Sequence, residues 1–478
     1  MEDENAEHPT KNAGNKLVSA FAWLVILSVV GLIISLQMRR RAEPQKTGSD
    51  SVEYVMLEVQ SKYSVGVGSL FGEAAMGPLK EQVKDWPTDT DGEGVRAAIV
   101  IGELIGAEEA LERLAEIESK ANETSDTATD PSSQVSDDVL SSLRDAYQDF
   151  SEGEFAAPSV SPEQRESILE ELGWFGELAL VPEGSGDPAR ERVLGSAKRI
   201  VIAILSVAVG WCGLGFLGLC VLIFTVLRLI LRKEKRFDSR PRHGKVYVES
   251  FAIWIVSFVL LGFLAGVVFP PQFGMLGSLM VMGLSLGAVA WPCFRGVTWK
   301  DLRTDLGWTM GKGLIRESLA GIGSYTTALP LIVTAYVVTW LALMLFGIDL
   351  EFDQSSAHPI VQQQIGASVW TAVQLFTLAC VMAPLLEETV FRGLLYRHLR
   401  EASSRIPFVL SVLFSALVNA ALFALIHPQG FVALPALGAI AVALSLSREY
   451  RDSLIAPILG HAINNTVTLC LLFTLFQS

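Results

Sequence analysis

What most limits the fold of this chain is a succession of apolar runs, each about 20 residues long. That is the length an α-helix needs to cross the roughly 30 Å hydrocarbon core of a bilayer. The first run, "LVSAFAWLVILSVVGLIISL" at 17–36, ends in "QMRRR". It is longer than the apolar core of a signal peptide and no small-residue cleavage site follows it, so it reads as an uncleaved anchor. Further runs fall near 200–227, 247–269, 274–292, 319–346, 366–387 and beyond, 407–427, 431–447 and 453–476. Within lipid only helices and closed barrels satisfy their own backbone. The expectation is therefore an all-α, polytopic helical membrane protein with about nine transmembrane helices, one anchor and eight more.

Composition changes between the first two runs. Residues 42–198 hold 33 acidic and 12 basic side chains, so the net charge of −14 over 478 residues comes from this region, and the remainder is net basic. "RAAIVIGELIGAEEALERLAEIESK" and "SPEQRESILEELGWFGELAL" have helical apolar spacing, while "ETSDTATDPSSQVSDD" has the composition of a linker. The chain thus divides into a polar tail (1–16), a transmembrane anchor (17–36), an acidic, helical soluble domain of unknown role (42–198), a second transmembrane helix with a basic cytoplasmic loop (199–246) and a membrane domain (247–478). No catalytic motif falls in the acidic domain. Its lack of a basic patch and of aromatic-basic interleaving argues against nucleic acid as a partner. The five cysteines, Cys212, Cys220, Cys293, Cys380 and Cys470, lie in or beside apolar runs without CxxC pairing and read as small core residues.

Orientation follows from lysine and arginine in short loops. "RLILRKEKRFDSRPRHGK" (228–245) is the strongest cytoplasmic signal, and "FRGVTWKDLRTDLGWTMGKGLIR" is basic as well. "GIDLEFDQSSAHPIVQQQ" has neither residue and should face outward. This places a multi-pass protein in the cell (inner) membrane with its acidic domain extracytoplasmic. Arg39, Arg40 and Arg41 are the exception, tolerable because long domains cross largely regardless of flanking charge.

Three of the last four runs carry polar residues that a bilayer does not admit without cause. In "APLLEETVFRGLLYRHL" (383–399), Glu388 and Arg392 stand four apart and share a helix face, which leaves Glu387 about 100° round the helix. In "ALFALIHPQG", Phe423 and His427 are again four apart, and in "APILGHAINNTVTLCLLF" so are His461 and Asn465. Singly, each has a bland reading: glutamates meeting water, an interfacial histidine, an amide joining two helices. Together they are the parts of a hydrolytic site: a carboxylate to deprotonate water, an imidazole to share the proton or bind a metal, and donors for an oxyanion. Cooperation requires a shared depth. If the helix of Glu387 ended there, His427 would lie about 30 Å away by helical rise. The helix is therefore expected to continue to Arg400, with Pro384 as a bend.

"EETVFR" (387–392), "FALIH" (423–427) and "HAINN" (461–465) resemble the EExxxR, FxxxH and HxxxN motifs of the CPBP family of intramembrane proteases, which includes type II CAAX prenyl endopeptidases and Abi proteins. The resemblance covers 366–476 well and 247–365 loosely, so that 247–478 reads as the CPBP-like protease domain. It implies an intramembrane metalloendopeptidase acting on a membrane-associated peptide or protein, with a prenylated CAAX substrate in view. By similarity, Glu387 and His461 would activate water, His427 and Asn465 would stabilise the oxyanion, and Glu388 and Arg392 would support them. The family's description makes zinc the expected cofactor, with Glu387, His427 and His461 as ligands. The residues themselves do not require a metal, and no HExxH occurs. Two other readings stand beside this one. One is a non-enzymatic scaffold or bacteriocin-immunity-type protein of the same fold; the other is a transporter, for which no inverted repeat is visible.

Overall fold

The computed structural model describes residues 15–42, 49–84, 86, 92–123, 135–155, 159–231, 237, 239–240, 242–346, 368–428 and 433–476. Most of the expected linker at 123–138, all of the segment from 347 to 364 that lacks lysine and arginine, and part of the basic segment 228–245 lie outside them. Among the described residues every regular element is helical. In chain order these are α1 (Lys16–Ala42), α2 (Ser49–Phe71), α3 (Glu73–Lys84), α4 (Gly92–Leu104), α5 (Ala107–Glu123), α6 (Asp137–Ser151), α7 (Pro162–Leu172), α8 (Trp174–Ala179) and α9 (Ala189–Leu231). There follow α10 (Gly244–Val268), α11 (Gly274–Ser285), α12 (Trp291–Phe294), α13 (Trp299–Leu306) and α14 (Leu314–Phe346). The last four are α15 (Val369–Ala402), α16 (Phe408–Leu425), α17 (Leu434–Arg451) and α18 (Ile455–Phe476).

The chain forms two compact units, one of residues 45–209 with 473–478, the other of 1–44 with 210–472. In the first, α4 is the central helix. Val95, Ala98, Ile99, Val100, Ile101 and Leu104 are buried and meet Leu114, Leu143, Phe150, Ile168 and Phe175 from the helices around it. Gly102 lets Tyr147 approach, since a Cβ there would lie 2.6 Å from its ring. Local signals set the boundaries: Ser161 and Gln164 close a capping box on α7, and Ser136 caps α6.

Among the described residues eight helices are long and apolar enough to cross a membrane: α1, α9, α10, Gly274–Phe294, α14, α15, α16 and α18. The expected run at 431–447 is helical as α17, but its last turn carries Arg448, Glu449 and Arg451, and it does not meet the length-and-composition requirement. Burial orders the spans. Half of the α16 window is buried but only 6% of that of α14, whose Val333, Trp340 and Leu345 face outward as a lipid-contacting surface does. The cysteines do not form a core: Cys212, Cys220 and Cys470 are exposed, because their helices turn those faces toward what would be lipid. Since lipid is as apolar as leucine, the helices are held by close packing and hydrogen bonds rather than by the hydrophobic effect. Gly218 of α9 accordingly meets the backbone of Thr326 on α14, where a Cβ would overlap the carbonyl.

α15 runs unbroken past the glutamates to Ala402, as the depth argument requires. It is not uniformly wound. Thr377–Met382 and Glu388–Leu395 are π-helical, on either side of an α-helical turn, Ala383–Glu387. Pro384 lacks a backbone donor, and the irregularity it brings is this change of winding. π-helical stretches free carbonyls from the regular ladder, and two are taken up by side-chain amides: Asn465 Nδ2 donates to Ala379 O (2.8 Å) and Asn419 Nδ2 to Phe391 O (2.7 Å).

One end of α15 is tied down by ion pairs. Arg397 bonds Glu401 (2.6 Å) and Asp305 (3.1 Å), and Arg400 bonds Glu449 through both Nε and Nη2 (2.9 Å each). Asp305 also accepts from His243 and Tyr247. Burial raises the Asp305 carboxyl, but the bond from His243, the Arg397 charge and the Tyr247 hydroxyl outweigh it and hold the group below its ordinary value.

Candidate active site

Four aromatic side chains make the floor of the site. Phe391 of α15 packs edge-on against Phe423 of α16 (ring centroids 5.1 Å apart) and against Phe251 and Trp254 of α10 (5.3 and 5.6 Å). Such pairs add about 0.5–1.5 kcal/mol each beyond area burial, which matters where apolar area alone gives no preference for protein over lipid. Phe423 is the hub. Its ring lies under the Arg392 guanidinium (4.7 Å), 4.3 Å from the His427 ring and 6.0 Å from that of His461, while its carbonyl accepts from His427 Nδ1. The FxxxH spacing thus has a local cause, a ring and a carbonyl one helical turn apart that hold a histidine between them.

The two glutamates divide as their spacing suggests. Glu388 is fully buried, and its Oε1 accepts from Arg392 Nη1 (2.8 Å) and from His461 Nδ1 (2.8 Å). Arg392, equally buried, reaches on to Ala441 O (3.3 Å). Glu387 points the other way. Its Oε2 is buried without a hydrogen-bond partner and stands 3.7 Å from His427 Nε2 and 3.9 Å from His461 Nε2. Glu387, Glu388, Arg392, His427 and His461 are therefore brought together from three helices. Asn465 sits one turn beyond His461 on α18, where one of its two amide hydrogens is engaged by Ala379 O.

The partners fix the tautomers. A backbone carbonyl can only accept, so His427 carries a proton on Nδ1. The Glu388 carboxylate, paired with Arg392, likewise accepts from His461 Nδ1. Both imidazoles then turn Nε2 toward Glu387, and three basic atoms converge with no donor among them. Polar atoms 3.7–3.9 Å apart are too far for a direct hydrogen bond and well spaced for a bridging water. The charges also fail to cancel: Glu387 and Glu388 against Arg392 leave one negative charge, which one protonated imidazole would neutralise.

Zinc takes nitrogen and oxygen donors at about 2.0–2.2 Å around one point. Glu387, His427 and His461 have the right donor types, and each histidine has the Nδ1 anchor typical of a ligand. Their arrangement does not close on an ion, however. Among the described residues no group of three or more His, Cys, Asp or Glu side chains is placed to hold one.

Some residues of the site escaped the sequence reading. Asn419 is fully buried and braces the π-helical turn of Phe391, and Trp308 Nε1 donates to Thr389 Oγ1 (3.2 Å) inside the EETVFR stretch. Asn419 had a signal, a polar residue in the apolar run "FSALVNAALFAL" eight residues before His427 and so on its face. Trp308 had none, because its neighbourhood reads as a loop.

No curated protein and no solved structure matches the chain. Residues 369–467, which hold α15 to α17, the first part of α18, and Glu387, Glu388, Arg392, His427, His461 and Asn465, match the family model described as "Rce1-like: Type II CAAX prenyl endopeptidase Rce1-like", and over that segment the match supports the family resemblance that the three motifs carry.

Proposed function

We propose that the protein is an intramembrane endopeptidase that hydrolyses a peptide bond near the C-terminus of a prenylated, CAAX-type substrate, using water activated by Glu387 and His461. One observation carries this reading: three basic atoms gather inside a helical membrane domain, with Glu387 Oε2 3.7 and 3.9 Å from the Nε2 atoms of His427 and His461. A structural polar network pairs donors with acceptors, as Glu388 and Arg392 do. This cluster is complementary to a molecule that brings donors of its own, as water does.

In the proposed reaction, water donates to Glu387 Oε2 and to His461 Nε2 as it approaches the scissile carbonyl. Glu387 takes its proton while the new C–O bond forms. A proton added at His427 Nε2, the one positive charge that would cancel the surplus negative charge of the cluster, turns that atom into a donor for the oxyanion. The second amide hydrogen of Asn465 is the other donor available there. Collapse of the tetrahedral intermediate breaks the C–N bond, and Glu387 returns the proton to the leaving amine. Glu388 keeps His461 oriented through Nδ1, and Arg392 is the counter-charge of Glu388. The test is mass spectrometry of a farnesylated CAAX peptide incubated with the full-length protein in nanodiscs. Release of the C-terminal fragment is expected, and an intact peptide would sink the proposal.

The same reading sets orientation. Trp23 Nε1 donates to His398 Nε2 (3.0 Å), and His398 Nδ1 donates to Gly244 O (2.7 Å) at the end of the basic segment. The N-terminal half of α1 thus belongs to the basic, cytoplasmic face, and α1 runs away from it. This supports an inner-membrane topology with residues 42–198 extracytoplasmic despite Arg39, Arg40 and Arg41. Labelling of single cysteines at 130 and 240 by an impermeant reagent checks it: 130 should react from outside, 240 only after permeabilisation, and the reverse pattern would overturn it.

A further inference from the structure

α1 lies more than three hundred residues before the family-matched segment, yet it reaches the candidate site. Ala22, Ile26 and Val30, four apart, are buried in the same core as Phe391 and Phe423. Seven residues beyond Val30, close to two helical turns, Gln37 falls on the same face. Its Nε2 donates to the backbone carbonyl of His427 (3.1 Å). That carbonyl lies just past the end of α16, where helix termini leave acceptors without intrahelical donors. At the other end of α1, Trp23 is bonded to His398 and through it to Gly244. About 21 Å of helix separates Trp23 from Gln37, so α1 is fastened at both levels of α15 and α16, with an apolar stripe between.

The consequence lies in what holds His427. Its ring is fixed at Nδ1 by Phe423, whose position is set by the aromatic floor. Its backbone, at the frayed end of a helix, is fixed from outside by Gln37. We infer that Gln37 is a positioning residue for the hydrolytic site, holding the His427 backbone so that the imidazole Nε2 stays in register with Glu387, and that α1 is a working part of the protease domain rather than only an anchor. This rests on the proposed function above. A merely structural glutamine, satisfied by whichever carbonyl is near, would affect insertion or stability and leave the chemistry of folded protein alone.

The test uses full-length protein in nanodiscs with a quenched fluorescent farnesylated CAAX peptide. Gln37→Met keeps length and removes the donor; Gln37→Lys keeps a donor of similar reach. Gln37→Met is expected to lower kcat three- to tenfold with KM unchanged, and Gln37→Lys to recover at least half of the loss. In protein labelled with 13C at histidine Cε1, the His427 resonance, identified through His427→Gln, is expected to move in Gln37→Met while that of His243 stays. Unchanged kcat in folded Gln37→Met, or an unmoved His427 resonance, overturns the inference. If wild-type protein cleaves no peptide, the proposed function fails, and the resonance alone decides whether Gln37 positions His427.

Discussion

Glu388 and Arg392 offer the sharpest energetic prediction, because both are fully buried and each is the other's counter-charge. Changing Glu388 to Gln removes the negative charge behind two 2.8 Å bonds and leaves the guanidinium with a neutral amide oxygen, the Ala441 carbonyl and the Phe423 ring in place of its adjacent counter-charge. Removing one partner of a buried pair costs about 3–5 kcal/mol, most of it the penalty on the charge left behind. Arg392→Met should cost a similar amount by stranding the carboxylate. The double variant Glu388→Gln, Arg392→Met leaves neither member of the pair without its counter-charge and should fall only about 1–2 kcal/mol below wild type, so the coupling should be at least about 4 kcal/mol. Reversible unfolding in mixed detergent gives all four free energies. Cleavage should not follow stability: His461 Nδ1 loses its ionised acceptor in the double variant, so peptide hydrolysis should stay low while the fold recovers. Additive single costs would refute the pairing, and recovery of cleavage with stability would refute the role given to Glu388.

Three further outcomes follow from neighbouring contacts. Asn465→Leu deprives Ala379 O of its donor within a π-helical turn and should cost about 1–2 kcal/mol in the same unfolding assay; unchanged stability would remove the bracing role. Asp305→Asn should destabilise by about 3 kcal/mol at pH 7. Because the folded carboxyl lies below its ordinary value of 3.8, the Asp305 contribution is fully present above that pH and disappears as pH falls through the folded value, so wild type and variant should converge in acid. A gap that persists in acid would contradict this. Dialysis against a zinc chelator should leave peptide cleavage intact, since the donor atoms of Glu387, His427 and His461 do not close on an ion; loss of activity restored by zinc alone would replace water activation by glutamate and histidine with a metal-bound form.

Much of the site was legible because membranes make polar residues conspicuous. Glu387, Glu388, Arg392, His427 and His461 each interrupt an apolar run, and the demand that they share a depth forced α15 to continue past the glutamates, which it does. The division of labour between Glu387 and Glu388 follows from the i, i+4 rule. Less was legible where partners come from distant sequence or from backbone. No pattern announces that Asn465 spends one hydrogen on Ala379, since that carbonyl is free only because the helix is π-wound there. The span at 431–447 was readable as apolar but not as one whose charged end joins the ion-pair network through Glu449. Gln37 was visible as a polar residue at the end of the anchor, yet its partner lies 390 residues away.

The most direct test of the central claim is to compare Glu387→Gln with Glu388→Gln for cleavage of the farnesylated peptide and for stability. Glu387 Oε2 accepts no hydrogen bond, so Glu387→Gln should leave the fold as stable as wild type and lower kcat on the order of 10²–10⁴-fold, the range of a lost general base. Glu388→Gln should lose both stability and activity. Undiminished cleavage by folded Glu387→Gln would contradict the account.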